Sequence, residues 1–501
     1  MPLISKIYFI IFLPLISSLV CQIFNKVKIH SYLTATCLLA VIAIAINIAP
    51  EVFSTQNIVN NFSLQPLSIG LEFRLDGLAI IFLVAIIFLK FITLFYHKND
   101  AENFLSQKNH KTFYAAYLVQ IFAIIGAITT NNLLNLFLFL EIYSCSFLAI
   151  FSISKDTKIA QLSLRYFFYN SAASLLILFS FIIIYINFHS LNLDEIKQLL
   201  IASHDIRFFT ILAVLTAIGF AIKFFSPNLY FKTLKNNNNL ADFFASEALF
   251  IHSNLGIFFA IKFSYLFFID ENIKILLIFA LIVLIIYSLV SLHYTKHLKL
   301  AATYLGIINL CLIFICLMLQ KTNAQTSLID LTNSSSQLNL QRSTLFYWLN
   351  FNLINFAIYL FATLLKHQFG SSSYQQITAL PTFKIKALQL RLLIIFCASL
   401  PFTFLFYGNW YLALETLKNC KIFTNSAVLG IVAIITILFF TLSLKILSAI
   451  FFAKNNETVY SAEPRQYLMQ SSLLWLVIII AYSAILCFDF LNKLSLQFII
   501  T

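Results

Sequence analysis

Glycine is scarce in this chain: 501 residues hold only 9, where average usage of about 7% implies about 35. The spaced glycines of a dinucleotide-binding turn are absent with it. Charge is scarce too, at 10% of residues with only 19 Asp and Glu, which is too little to clothe a soluble protein of this length. The eight cysteines, at positions 21, 37, 145, 311, 316, 397, 420 and 487, form no C-x-x-C pair and no metal-ligand spacing. Most of them read as small core residues, and neither iron–sulfur nor disulfide chemistry is expected. Nor does any nucleophile or paired-carboxylate constellation stand out. The sequence therefore predicts no metal, no cofactor and no catalytic centre of its own.

What fills the chain instead is apolar. Hydrophobic residues make up 61%, Phe alone numbers 56, and the mean hydropathy is +0.91, values that belong to a polytopic membrane protein. The net charge of +13 comes without a basic cluster interleaved with aromatics, so it reads as membrane topology and not as nucleic-acid binding. Lys6 precedes an apolar run from Ile7 to Phe24 with no small-residue cleavage site after it, and this run reads as a first span and not as a removed signal. At about 20 apolar residues per crossing, fourteen spans are predicted, near 7–25, 31–49, 77–96, 112–130, 132–153, 163–187, 208–231, 240–268, 273–294, 300–319, 343–365, 387–412, 426–452 and 470–491. The longest connections, Pro50–Asp76 and Lys321–Arg342, leave no room for a soluble domain. The expected fold is a single all-α transmembrane domain over 1–501. Connections after odd-numbered spans carry 16 Lys and Arg against 10 on the other side, a bias that puts both termini on the outer side.

A few residues break the apolar pattern. Glu141 sits in the middle of the run Asn132–Ile153, and Lys223 is the only charge in Phe208–Phe225. A buried acid or base in a membrane span is costly, which makes function the default reading. An ion pair between them would hold both charges, and separating it would favour both neutral forms and release a proton; a static bridge locking two helices is the competing reading. Further intramembrane charges are Lys90, Arg165, Glu247, Lys262, Arg391 and Lys445, with the titratable His252 beside them. Arg165, Lys262 and Arg391 lie near span ends, within reach of the interface. Glu247 and Asn254 are seven apart, on one face of a regular helix. His252 reads as a core histidine or as a relay. Two spans look interrupted. The seventh breaks where Ser226 and Pro227 lead into the polar tract at Lys235–Leu240, and the twelfth carries Pro401 in mid-run. Such breaks line polar cavities or mark packing kinks, and their placement beside Lys223 and Asn409 favours cavities.

Several stretches carry a resemblance. NNLLNLFLFLEIYS with Glu141, LRYFFYNSAASLLILFSFIIIY with Arg165, AIKFFSP with Lys223 and Pro227, HLKLAATYLGIINL with Lys299 and Tyr304, and SLPFTFLFYGNW with Pro401 together resemble one family. It is that of the antiporter-like membrane subunits shared by proton-pumping NADH:quinone oxidoreductase (complex I) and Mrp-type multisubunit sodium/proton antiporters. The likeness runs from span four to span thirteen. It also has departures: Asn254 stands where the family has a base in span eight, Phe351 and Asn355 occupy its span-eleven relay positions, and Asn409 replaces its span-twelve lysine.

The resemblance implies about fourteen helices in two inverted five-helix repeats, 112–268 and a degenerate 273–452, with helices seven and twelve broken at Pro227 and Pro401. It implies an integral membrane subunit of a proton-translocating or cation/proton antiport complex, with Glu141 and Lys223 transferring protons and Arg165, Glu247, His252 and Lys299 as relay candidates. The expected partners are other integral membrane subunits, protons, sodium and quinone-reducing subunits, in a bacterial or organelle inner membrane, with redox cofactors held by partners. The neutral residues at Asn254, Phe351, Asn355 and Asn409 motivate an alternative: a non-pumping structural subunit that has lost part of its relay.

Overall fold

The computed structural model describes residues 3–24, 27–55, 58–62, 71–98, 107–153, 157–202, 212, 214–224, 239–263, 271–295, 297–318, 335–369, 408, 410–412, 414 and 471–479. Helix dominates, because a chain this apolar can satisfy its backbone inside hydrocarbon only by bonding each N–H to its own segment. The described elements are α1 (Leu3–Ile23), α2 (Val27–Thr55), β1 (Ile58–Phe62), β2 (Leu71–Leu75), α3 (Gly77–Tyr96), α4 (Gln107–Thr129), α5 (Leu133–Ser152), α6 (Thr157–Phe188) and α7 (Leu193–Ala202). Then come α8 (Val214–Phe224), α9 (Asn239–Ser246), a π-helical turn (Glu247–His252), α10 (Ser253–Lys262), α11 (Glu271–Tyr294), α12 (Leu298–Met318) and α13 (Ser335–Phe369).

Among the described residues, ten helices are long and apolar enough to cross a membrane. They fall on the first six predicted spans and on the eighth to eleventh, and α8 lies within the seventh. Span thirteen, Pro227, Pro401 and Asn409 lie outside the described residues, as do Arg391 and Lys445. The chain divides into two compact units that part between Asp270 and Glu271.

In the first unit α4 packs along both α1 and α5, α5 along α6, and α3 against α2 and the π-helical turn. Glycine leaves room where α4 and α5 pack: a Cβ on Gly126 would run into the Phe139 ring, which would have to swing aside. One end of this unit is polar. There β1 and β2 pair antiparallel, Ile58 opposite Leu75, in a segment whose short runs gave no membrane-span signal. The backbone N–H of Asn131 donates to Glu72 O at 3.0 Å and that of Leu193 to Asn131 O at 2.9 Å, tying the hairpin to the α4–α5 and α6–α7 turns. Asn132 caps α5, its Oδ1 accepting from Leu134 N at 2.9 Å, a contact worth about 1 kcal/mol. Asp76 caps α3 in the same way through Ala79 N at 2.7 Å.

The second unit is built on α12, which packs against both α11 and α13. Tyr347, Trp348, Phe351 and Tyr359 of α13 are buried within it.

Candidate functional site: two buried ion pairs in the first unit

Three helices build the first pair. α5 presents Glu141 and, three residues on, Ser144, which share one face at that spacing. α6 supplies Ser174 and α8 supplies Lys223. Lys223 Nζ lies 2.9 Å from Glu141 Oε1, and it donates to Ser174 Oγ at 2.7 Å and to Ser144 Oγ at 3.3 Å. Its three N–H bonds are thus all used. Ser174 in turn donates to Glu141 through a short hydrogen bond. The Lys223 side chain is 2% exposed and that of Glu141 32%, so the acid is the pair's open side.

The second pair is closed completely. Lys90 of α3 forms a short ion pair with Glu247, the side chains being 0% and 1% exposed. Lys90 Nζ also donates to Gln120 Oε1 at 2.7 Å and lies 4.3 Å from the centre of the Tyr117 ring. The Tyr117 hydroxyl donates to Lys90 O at 2.7 Å, and Thr93 Oγ1 donates to Glu247 Oε1 at 3.4 Å. The sequence names both charged residues, yet nothing in it pairs positions 157 residues apart. The available signal was arithmetic: the described spans hold few acids, and each needs a base beside it.

Between the pairs lies His252. Its Nδ1 is 2.9 Å from the Tyr143 hydroxyl and its Nε2 is 3.4 Å from that of Tyr166. The Phe147 ring stands against the imidazole with centroids 4.5 Å apart. Glu247 and His252 bound the π-helical turn, whose wider pitch breaks the 3.6-residue period that would put Glu247 and Asn254 on one face. Asn254 is buried and donates to Phe250 O at 2.5 Å.

The other candidates scatter. Arg165 is exposed on α6, and it is the next residue, Tyr166, that turns inward. Lys262 reaches back across the unit and donates to Thr130 O at 2.6 Å, at the end of α4. In the second unit Lys299 lies over the Tyr359 ring at 5.6 Å. Phe351 and Asn355 are buried on α13, with Asn355 Oδ1 lacking a hydrogen-bond partner. Among the described residues no three His, Cys, Asp or Glu side chains converge as metal ligands.

Comparison with known proteins identifies the family and the fold. The chain is 30% identical over 200 residues to NADH-quinone oxidoreductase subunit M of Rickettsia prowazekii (strain Madrid E), covering 38% of this chain and 40% of that one. It is 32% identical over 133 residues to subunit M of Rickettsia conorii (strain ATCC VR-613 / Malish 7), covering 26% of each. The matches thus span less than half of those relatives. In fold it is similar over 99% of its length to a chain of the Mrp complex from Dietzia sp. DQ12-45-1b (96% of that chain, TM-score 0.77, 14% identity). A chain of the archaeal membrane-bound sulfane sulfur reductase matches over 98% of this chain and 97% of its own (TM-score 0.76, 16% identity). One of respiratory complex I from Thermus thermophilus matches over 95% and 97% (TM-score 0.66, 14% identity). The transmembrane family model of NADH:quinone oxidoreductase and Mrp antiporters matches residues 130–436, more than half of the sequence, and the chain belongs to that family.

Proposed function

We propose that this protein is a proton-translocating subunit of a multisubunit membrane complex and that Glu141 and Lys223 are its proton-transfer pair. The observation that carries this is the 2.9 Å ion pair between them, with the ammonium almost wholly buried. Closed, the pair holds one positive and one negative charge in mutual contact. Drawing Glu141 away strands the ammonium in a medium of low dielectric with only two hydroxyls to solvate it, and loss of a proton from Lys223 Nζ discharges that state. Glu141 is the less buried of the two, so the pair opens on its side. The proton then moves as the pair opens and closes, and Ser144 and Ser174 hold the lysine nitrogen in place.

The sequence relatives favour an NADH:quinone oxidoreductase over an Mrp-type assembly, since those at 30% and 32% identity are both named as subunit M of the former. On this reading the partners are other integral membrane subunits and the quinone-reducing part of the complex, in a bacterial inner membrane. The excess of basic residues in the connections after odd-numbered spans supports both termini on the outer side. The relay candidates Arg165 and Lys299 and the inverted repeats 112–268 and 273–452 belong to the same proposal.

The test is Glu141→Gln in the complete complex, reconstituted into vesicles with a pH-sensitive dye inside. Translocation falls while the complex still assembles. Unchanged translocation in an assembled complex would overturn the reading in favour of a structural subunit.

A further inference from the structure

We propose that Lys90 and Glu247 form a second proton-exchanging pair, joined to Glu141 and Lys223 through Tyr143, His252, Tyr166 and Asn170. This deepens the reading above and rests on it.

Stability does not account for the pair. A buried ion pair is often no better for folding than well-packed apolar residues of the same volume, and this one has a polar shell built round it from two helices: Thr93 of α3 and Tyr117 and Gln120 of α4. The π-helical turn at Glu247–His252 is a second departure from economy, because such turns are rare and cluster at functional sites. It puts an acid at one end and an imidazole at the other of a single wide turn.

Continuity is the third observation. The carbonyl oxygen of Glu247 lies 3.4 Å from His252 Nδ1, and on the other side of the pair Gln120 accepts from Lys90 through Oε1 while its amide nitrogen is buried with no hydrogen-bond partner. Tyr143 meets His252, and His252 meets Tyr166. On α6, Tyr166, Asn170 and Ser174 follow at intervals of four and so form one inward stripe; all three are buried. Ser174 touches both members of the first pair. Asn170 Oδ1, midway along that stripe, is again buried without a protein partner. Buried amide groups of this kind are satisfied by water, and these two mark where water would complete the path.

The transfer balances at every group. With Nδ1 unprotonated, Tyr143 gives its hydroxyl proton to Nδ1 while the Nε2–H bond breaks and its proton passes to Tyr166. Tyr143 is refilled from Lys90, whose N–H bond breaks, through water at Gln120. Tyr166 hands its own proton on through water at Asn170 to Ser174 and the carboxylate of Glu141. One proton has left Lys90 and one has arrived at the first pair, and Lys90 regains its proton when the passage runs back along the same groups. In the other imidazole tautomer each of these bonds runs in the opposite sense.

The experiment compares Lys90→Gln/Glu247→Gln with Glu141→Gln in the complete complex in vesicles. The double variant leaves no unpaired charge, so a merely structural bridge predicts normal translocation. The relay predicts a loss on the order of a hundredfold, as for removal of an acid–base group, alongside the loss in Glu141→Gln. Normal translocation in the double variant with loss in Glu141→Gln overturns the second pair and leaves the first reading standing. Normal translocation in both overturns the reading on which it rests. Should the double variant fail to assemble, Glu247→Asp keeps the ion pair. A turnover-dependent carboxyl band in difference infrared spectra shifts in that variant if this carboxylate changes protonation, and an unshifted spectrum overturns the proposal.

Discussion

Ser174 bridges its own ion pair: it accepts from Lys223 at 2.7 Å and donates to Glu141. Replacing it leaves the two charges in contact but removes the hydroxyl that both share. A hydrogen bond to a charged group is worth about 1.5–3 kcal/mol, and about 1.4 kcal/mol is a factor of ten in rate. Ser174→Ala is therefore expected to assemble normally and to slow translocation by about tenfold or more, measured as initial proton uptake into vesicles. A rate equal to wild type would mean that the serine only fills space.

The two members of the pair differ in what their removal leaves behind. Glu141→Gln strands an ammonium that is 2% exposed, whereas Lys223→Met strands a carboxylate that is 32% exposed and keeps its hydrogen bond from Ser174. Breaking a buried pair from the side that leaves the buried charge costs about 3–5 kcal/mol, and the exposed carboxylate loses much less. Thermal unfolding in detergent should thus place Glu141→Gln below Lys223→Met, and the reverse order would contradict the asymmetry.

Much of this site is legible in the sequence, because a charge in an apolar run needs no structure to be noticed. Glu141 and Lys223 announce themselves singly, and a lone acid and a lone base in two apolar runs suggest the pairing. Lys90 and Glu247 are equally visible as single residues, but what joins them is tertiary: two helices packed side by side, and a π-helical turn that resets the helical phase between Glu247 and Asn254. Periodicity arguments assume 3.6 residues per turn and fail at such a turn. Tyr143 and Tyr166 escaped notice for a different reason. Among 22 tyrosines and 56 phenylalanines, an aromatic in a span looks like packing until its hydroxyl is seen to meet an imidazole. The β1–β2 hairpin is hidden likewise, since five-residue strands leave too short a pattern.

At the polar end of the first unit, Glu72 is shifted upward from the ordinary carboxylate range. Burial is the main cause; the hydrogen bond from Asn192 Nδ2 at 2.5 Å opposes it, and Glu195 and Asp194 add repulsion. Arg74, on the same strand, is engaged with Asp194. A carboxyl raised in the folded state costs nothing while both states are protonated. The cost grows as pH rises through the unfolded value and is complete above the folded one. Glu72→Gln should unfold at the same temperature as wild type below about pH 4 and at a higher one above about pH 7. A variant equally stable to wild type at both would show that Glu72 carries no such cost.

Gly256 tests how tightly the lysine is positioned. A Cβ there would sit 2.9 Å from Phe224 Cβ, closer than real carbons approach. Phe224 cannot yield by rotating its ring, because the clash is with the root of its side chain, so α8 itself has to shift. Phe220 and Phe224 are stacked on Phe259 with ring centroids 5.8 and 5.6 Å apart, and α8 therefore cannot move without disturbing that stack. Overpacking of this kind costs about 1–3 kcal/mol. Lys223 precedes Phe224 in the chain, so the same shift displaces its ammonium from Glu141, Ser144 and Ser174. Gly256→Ala is accordingly expected to lower both the unfolding temperature and the translocation rate. A glycine needed only for packing would give the first effect without the second: the variant would be less stable in detergent, yet as fast as wild type once assembled in vesicles.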